Sequence, residues 1–307
     1  MIEIQWQKLL STTRVRDLFR EAKSRKVPSD FRSEFERDYG RAIFSTPVRR
    51  LQDKAQVFPL EAHDAVRTRL THSLEVSSVA RNMAQEVGSW LFQMGHLKQD
   101  DVGALSTIAA TCGLIHDIGN PPFGHAGELA IQSWFEKKCP NSAQGQSEFF
   151  QADVTSQLAQ DFLRFNGNPH MLRLVACLQV LADYRGMNLT CGTLSAACKY
   201  LAPSNALTKE VHERSRTGFF LSEEDLVQRI RAETGTGEAR NPITYLVEAS
   251  DDIVYSVVDL EDGVKKGAIS WEDLRREFNS KLEGSSPEFD RAIQACNDLV
   301  GSATSLT

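Results

Sequence analysis

The feature that most constrains this chain is its hydrophobic period. Segment after segment places apolar residues three and four positions apart, and no stretch sustains the two-residue alternation of a half-buried strand. After Ser29, a suitable N-cap, the residues Phe31, Phe35, Tyr39, Ala42 and Ile43 recur on one helix face, and Ser45-Thr46-Pro47 closes the segment. Residues 71–92 carry a second stripe, formed by His72, Val76, Val79, Met83 and Val87. A third helix is expected over 102–117, ended by the breaker-rich string Gly119-Asn120-Pro121-Pro122. More helices are expected over 125–138, 149–165, 169–183 and 190–201, and over 222–233 with Ser222 as its cap and Asp225 three residues on. Two others cover 242–264, with Pro242 in the first turn, and 271–283, introduced by Ser270. Polar stretches at 138–146 and 234–241 read as surface loops. Such a pattern specifies a mainly α fold, packed as an irregular helical array rather than a simple bundle.

Composition narrows the class. The 307 residues are 41% hydrophobic and 25% charged, the ordinary globular mix, which excludes a disordered or collagen-like chain. A formal net charge of -6 argues against a dedicated nucleic-acid coat or tail. No apolar run reaches the roughly 18 residues of a membrane span, and Glu3, Gln5, Gln7 and Lys8 stand where a signal peptide needs an apolar core. A cytoplasmic location without membrane attachment is the expectation. Cys112, Cys139, Cys177, Cys191, Cys198 and Cys296 form no Cys-x-x-Cys pair and lie partly in apolar runs, so they read as buried thiols rather than disulfides or zinc ligands.

Four side chains stand out as metal-ligand candidates. His72 shares its stripe with Val76, Val79 and Met83, which places an imidazole on a buried face. His116 and Asp117 follow the apolar Leu114-Ile115 at a helix C-terminus, where an acidic group opposes the helix dipole and a bound cation would offset the cost. In the string from Glu248 to Asp259, the residues Asp251, Tyr255 and Asp259 are four apart and line one face, while Asp252 points about 100° away. Two imidazoles and two carboxylates without a thiolate suit Mn, Fe, Co, Ni or Zn, with Mg possible and Cu(I) disfavoured. Open coordination positions for water and a substrate oxygen mark a catalytic rather than a structural site. His125 and Glu128, three residues apart, are adjacent on one helix face, so the carboxylate would orient the imidazole.

The order His72, His116-Asp117, Asp251 resembles the HD superfamily of metal-dependent phosphohydrolases. Four strings narrow the resemblance: 49–59 (RRLQDKAQVFP), 67–76 (RTRLTHSLEV), 113–128 (GLIHDIGNPPFGHAGE) and 248–263. Together they look like the deoxyguanosine triphosphate triphosphohydrolases of bacteria, with similarity from about Trp6 to Gly263. The resemblance implies an HD-type helical architecture around a central metal site, with His72, His116, Asp117 and Asp251 as ligands of a divalent ion, Mn or Mg first and Fe, Co, Ni or Zn as alternatives. It implies hydrolysis of dGTP, and of other dNTPs, between the deoxyribose 5′ oxygen and the α-phosphorus. His125 would serve as general acid to the departing oxygen or as proton shuttle, with Glu128 its partner. Asn120 replaces a His found in some relatives, which removes one proton carrier.

Substrate contacts follow from the same resemblance. Gln52 matches a guanine-contacting position, Arg69 a phosphate contact, and Lys199 and Tyr200 the phosphate and sugar pocket. Tyr255 would stack under the deoxyribose, and Asp259 on the same face completes the set. Between Arg41 and Arg69 the cations Arg41, Arg49, Arg50, Lys54, Arg67 and Arg69 outnumber Asp53, Glu61 and Asp64, a basic segment facing an anionic substrate within an acidic chain. The expected organisation is an N-terminal helical segment, 1–65, contributing to the nucleotide pocket, an HD-type core, 66–265, and the start of a C-terminal helical region, 266–307, in a short or truncated chain. A homo-oligomer, hexamer or tetramer, and a nucleotide or single-stranded DNA effector are implied by resemblance alone. Two other readings use the same residues: an HD-type phosphodiesterase, nuclease or nucleotidase on another phosphate ester, and a nucleotide- or single-stranded-DNA-regulated binding module.

Overall fold

Helix signals in the sequence become helices wherever a cap and an apolar face coincide. In the computed structural model, residues 5–19, 31–60, 64–138, 153–178 and 185–282 are described, with short pieces at 287–288, 290–291 and 294–295. In chain order the α-helices are α1 (Trp6–Leu9), α2 (Val15–Leu18), α3 (Glu34–Ile43), α4 (Thr46–Arg50), α5 (Arg69–Gln93), α6 (Gln99–Ile115), α7 (Gly124–Lys138) and α8 (Gln157–Leu163). They continue as α9 (Gly167–Arg173), α10 (Cys191–Ala197), α11 (Glu224–Thr234), α12 (Pro242–Lys265) and α13 (Trp271–Leu282). Among the described residues the strand content is two short parallel strands, β1 (Ala202–Pro203) and β2 (Thr217–Phe219). The fold is mainly α, as the period requires.

By backbone contacts the chain divides into two compact units, residues 1–60 with 67–255, and residues 61–66 with 256–307. The larger unit is built on the pairing of α5 with α6. The centre of the buried stripe on α5 is Ala80, Ala84 and Gly88, with Val79, Met83 and Val87 at its flank. The expected stripe is displaced because the two helices approach closely. A Cβ on Gly113 would lie 2.9 Å from the Ser77 backbone, and one on Gly88 would lie 3.1 Å from Val102. Small residues therefore occupy the contact line, and larger ones fill its margins. Around this pair, one buried cluster joins Leu51, Leu114, Ile115, Ile118, Leu172, Leu189 and Leu194. Truncating such a fully buried aliphatic costs about 2–5 kcal/mol. A second cluster joins Leu9, Phe35, Ala84, Leu105, Ile108 and Ile243.

Several expected boundaries move. Helix α3 starts at Glu34 under a Ser33–Glu36 capping box, leaving Phe31 outside it and 97% exposed; Ser29 lies outside the described residues. Of the span 149–165 only Gln157–Leu163 is helical, because Ser156 caps it and Asp153 to Thr155 form a turn; 149–152 lie outside the described residues. The helix expected over 169–183 begins earlier, at Gly167, and opens into a π-helical turn at Leu174–Leu178, with 179–183 outside the described residues. Helix α10 stops at Ala197, and Cys198 is extended, so Lys199 and Tyr200 stand beyond the helix rather than in its last turn. Ser222 does not cap α11, which starts from a 3-10 turn at Leu221–Glu223. The loop at 138–146 falls outside the described residues after Lys138, whereas Thr234 ends α11 and Gly235 turns left-handed at φ +70°.

Cys112 and Cys191 are buried free thiols, and Cys177 and Cys198 are partly buried; Cys139 and Cys296 lie outside the described residues. Burial pushes the Cys198 thiol up to about 11, which keeps it protonated and inert. Among the described residues no helix is long and apolar enough to cross a membrane. In the smaller unit, the chain leaves α12 through a turn in which Ala268 and Ile269 both donate to the Gly263 carbonyl, before α13.

Candidate metal centre

Three elements of the larger unit deliver the centre: the second turn of α5, the turn that ends α6, and the first half of α12. Thr68 caps α5, and its side chain accepts from Thr71 N, so His72 enters one turn after a fixed start. His72 is 1% exposed, and its Nε2 stands 3.0 Å from Asp251 Oδ1 although 179 residues separate them. His116 is the C-cap of α6. Its Nδ1–H donates to the Gly113 carbonyl at 2.7 Å, which fixes the tautomer and leaves the Nε2 lone pair bare. That Nε2 is buried and has no hydrogen-bond partner among the described residues. It lies 3.7 Å from Asp251 Oδ1 and 3.6 Å from Asp117 Oδ1. The two imidazole rings are edge to face, with centroids 5.5 Å apart.

These separations suit one ion. His72, His116 and Asp251 each offer a ligand atom, and the three atoms lie within 4.8 Å of one another. An ion about 2.0–2.2 Å from each ligand spans pairs roughly 3–4 Å apart. A buried imidazole nitrogen with no partner, beside a carboxylate oxygen, fits the donor set a cation requires. Asp117 stands at the edge of this trio. Its carboxylate takes the Arg69 guanidinium on one oxygen and the Asn120 amide, at 2.6 Å, on the other. Burial pushes the Asp117 carboxyl up, but the charges of His116 and Arg69 outweigh it and hold the group below its ordinary value. For Asp251, burial again acts upward, and the His72 hydrogen bond with the charges of His116, His72 and Lys199 brings it to about 2. Both carboxyls are therefore ionised, as metal ligation requires.

Tight backbone crossings lock the turn that follows. A Cβ on Gly119 would lie 2.0 Å from the Gly167 carbonyl, so this crossing admits glycine alone. Beneath the turn, Lys54 Nζ donates to the carbonyls of Ile118 at 3.0 Å and Asn120 at 2.6 Å. Gly124, at φ +54°, opens α7 and leaves room for Arg69, whose Nη2 would lie 2.5 Å from a Cβ there.

Helix α7 then carries the second His–carboxylate pair. His125 Nδ1 stands 3.0 Å from Glu128 Oε2. Glu128 is buried and fixed by the Gly167 N–H at 2.6 Å and the Asn166 amide at 3.5 Å, while the His125 ring is 73% exposed. The pair opens onto a cleft of about 490 Å³, lined also by Gln132, Arg164, Asn166 and Arg216.

With this geometry in place, similarity to known proteins becomes informative. The HD domain pattern matches residues 69–200, from the start of α5 to Tyr200. A deoxyguanosinetriphosphate triphosphohydrolase-like protein of Synechocystis is 36% identical over 313 residues, covering 95% of this chain and 69% of that protein. The chain belongs to the deoxyguanosinetriphosphate triphosphohydrolase-like family. A family member from Listeria monocytogenes is 41% identical over 284 residues, covering 91% of this chain and 60% of its own length. A deoxyguanosinetriphosphate triphosphohydrolase of Salmonella schwarzengrund is 40% identical over 267 residues, covering 78% of this chain and 52% of its own length. The chain thus spans about half to two thirds of the length of these relatives. The HD domain implies a divalent metal ion, and His72, His116 and Asp251 converge where one would sit.

Of the other expected site residues, Gln52, Arg69, Lys199, Tyr200 and Tyr255 belong to the larger unit. Gln52 is exposed and accepts from the hydroxyl of Thr68, the cap of α5, at 3.4 Å. Arg69 is turned onto Asp117. Lys199 pairs with Glu248 at 3.2 Å, Tyr200 is 5% exposed, and Tyr255 is 46% exposed. Asp259 belongs to the smaller unit. Much of the basic segment is spent internally. Arg41 donates to the carbonyls of Met187 and Asn188, Arg67 pairs with Glu75 at 3.0 Å, and Lys54 holds the metal turn. Arg50 lines a separate cavity of about 330 Å³ with Lys54 and His170. Sequence reasoning missed Arg164 and Arg216. The guanidinium of Arg216 is 6.0 Å from the Tyr200 ring centroid, and Arg164 donates to the Ser204 carbonyl. Arg164 is an isolated cation next to Phe165-Asn166, and Arg216 ends the mixed-charge string 209–216 before β2, where nothing in the spacing sets it apart from its neighbours.

Proposed function

We propose that this chain is a metal-dependent hydrolase of deoxynucleoside triphosphates, dGTP among them, that releases the deoxynucleoside and inorganic triphosphate. The observation that carries the reading is the buried, unpartnered Nε2 of His116 facing Asp251 and His72, in a chain of this family. His72, His116, Asp117 and Asp251 would hold the ion, with Asp117 exchanging its present partners for that role. When bound, a divalent ion supplies a water of lowered pKa and polarises the α-phosphate.

The remaining chemistry belongs to the chain. Water attacks the α-phosphorus, the bond to the 5′ oxygen breaks, and that oxygen needs a proton. His125 is suited to give it, because its ring is exposed while Glu128 fixes its Nδ1 side. Released from Asp117, Arg69 offers a planar donor pair to a phosphate. Lys199, Tyr200 and Tyr255 would contact phosphates and sugar, Gln52 the base edge, and Asp259 completes the set. In this reading residues 1–65 contribute to the nucleotide pocket, 66–265 form the HD-type core and 266–307 begin a C-terminal helical region. Manganese or magnesium is the ion proposed, in a cytoplasmic homo-oligomer of four or six subunits with a nucleotide or single-stranded DNA effector, on family resemblance.

Product analysis tests the reading. Manganese-loaded protein should convert dGTP to deoxyguanosine and inorganic triphosphate. Deoxyguanosine monophosphate with pyrophosphate would point to a phosphodiesterase instead, and binding without turnover to a regulatory module; either result sinks the proposal.

A further inference from the structure

The ammonium of Lys199 needs a reason to be where it is. Helix α10 ends at Ala197, Cys198 is extended, and Lys199 therefore sits on irregular backbone that no helix fixes. A lysine side chain with four rotatable carbons loses substantial rotamer freedom when a ligand orders it. Two neighbours restrict it in advance. Arg240, whose side chain is 1% exposed, donates from Nε to the Lys199 carbonyl at 2.9 Å and from Nη2 to Glu248 Oε2 at 2.5 Å. Its guanidinium lies 4.7 Å from the centroid of the Tyr245 ring and 3.9 Å from Glu213, so it is anchored from several sides. Glu248 divides its carboxylate, giving Oε2 to Arg240 and Oε1 to Lys199 Nζ at 3.2 Å.

Placement on α12 gives this arrangement its meaning. Glu248 is three residues before Asp251, so the two carboxylates are neighbours on one helix face. Paired with Glu248 at 3.2 Å, the ammonium of Lys199 is thereby held within one helical turn of Asp251. A lone Glu248 beside an anionic substrate would repel it. Flanked by Arg240 and Lys199, its charge is offset, and with Glu213 beside Arg240 the four groups are formally neutral.

We propose that Glu248, anchored by Arg240, is a positioning residue that holds Lys199 beside Asp251, ready to receive a phosphate group of the substrate. The inference rests on the reading of Lys199 as a substrate contact and adds the residues that act through it. Glu248 itself touches no substrate. The Arg240 anchor sets the backbone of Lys199, and Glu248 sets its head.

A double-mutant cycle on the full, manganese-loaded chain decides the matter. The readouts are the dissociation constant for inorganic triphosphate by calorimetry, and KM and kcat for dGTP. Glu248→Gln keeps an acceptor for Arg240 and loses the charge that faces Lys199. It should weaken triphosphate binding and raise KM by about threefold to tenfold, with kcat within about twofold of the parent. Lys199→Met should weaken binding by about tenfold or more, and adding Glu248→Gln should then change nothing. Glu248→Asp, which keeps the charge, should recover part of the loss. The proposal is overturned if Glu248→Gln acts by the same factor with and without Lys199, or leaves the dissociation constant unchanged. An unchanged constant for Lys199→Met alone removes the substrate assignment of Lys199, and this inference with it.

Discussion

Two imidazole–carboxylate pairs in the larger unit have the same length and opposite surroundings. His72–Asp251 and His125–Glu128 are both held at 3.0 Å. In the first the imidazole is buried at 1% and the carboxylate is 29% exposed; in the second the carboxylate is buried at 7% and the imidazole is 73% exposed. In each pair the buried partner is the fixed one, and the exposed partner is left to act. His72 is set in the α5 face beside Val76, so Asp251 would be the partner that presents an oxygen toward an ion. Glu128 is set by the Gly167 N–H, so His125 presents a ring nitrogen to whatever enters the cleft. On the proposed function, one geometry would serve two tasks, ligand and proton carrier, with burial assigning them.

The largest test of this division removes the centre itself. His116→Ala deletes the unpartnered Nε2 and should reduce dGTP turnover by about 10³ or more, with manganese no longer bound by calorimetry. Asp117→Asn should give the same loss of turnover while unfolding stays cooperative. Activity equal to the parent in either variant would break the assignment of the buried pair to metal. On the exposed side, His125→Asn should lower kcat by about 10²-fold, at the low end for general acid catalysis, and leave manganese affinity and the thermal midpoint unchanged. A variant that loses metal affinity along with kcat would erase the distinction between the two pairs.

The same contrast explains what the amino-acid order reveals. His125 and Glu128 are three residues apart on a helix, so their meeting is readable from spacing alone. His72 and Asp251 are 179 residues apart, and no period reports such a contact; ligand chemistry on each helix, and then the HD-like order, grouped them without showing that they meet. The breaker string 119–122 made the end of α6 legible to within two residues. The α5 stripe was displaced because apolarity marks Val79, Met83 and Val87, whereas close helix packing selects Ala80, Ala84 and Gly88. Net charge could not separate Arg41, which serves the backbone of Met187 and Asn188, from a cation meant for substrate. Lys199 and Tyr200 fell outside the expected helix, where Cys198 is extended and the Leu201 N–H donates to the distant Glu213 carbonyl instead of one four residues back. Tertiary hydrogen bonds of this kind outweigh local propensity and leave no trace in it.

A middle-sized effect separates the pairs by ligand binding. Manganese at about 100 times its dissociation constant should stabilise the parent by about 2.7 kcal/mol. His125→Asn should show the same rise in thermal midpoint, and His116→Ala none. Equal stabilisation of all three proteins would mean that the ion binds elsewhere.

The smallest expected effect comes from the support under the turn that carries His116 and Asp117. Lys54 donates to the carbonyls of Ile118 and Asn120, and burial, together with the charges of Arg50 and Arg69, lowers its ammonium from 10.5 to about 8. A lowered lysine destabilises the folded state while protonated. Below pH 8 both folded and unfolded chains carry the proton; between about 8 and 10.5 only the unfolded chain does, so stability rises with pH across that window. Because the side chain is only half-buried and solvent screens it, the rise should amount to about 1 kcal/mol rather than the full shift. Urea unfolding of the metal-free parent and of Lys54→Met at pH 7.5 and pH 10 measures it, since the other titrating groups cancel in the difference. Lys54→Met should lack the increment and start from a lower baseline, having released two carbonyls of the turn that carries His116 and Asp117. A parent whose stability falls relative to the variant over this window would show that Lys54 is held as a favourable charge, and that the metal turn rests on an ion-dipole contact stronger than its burial.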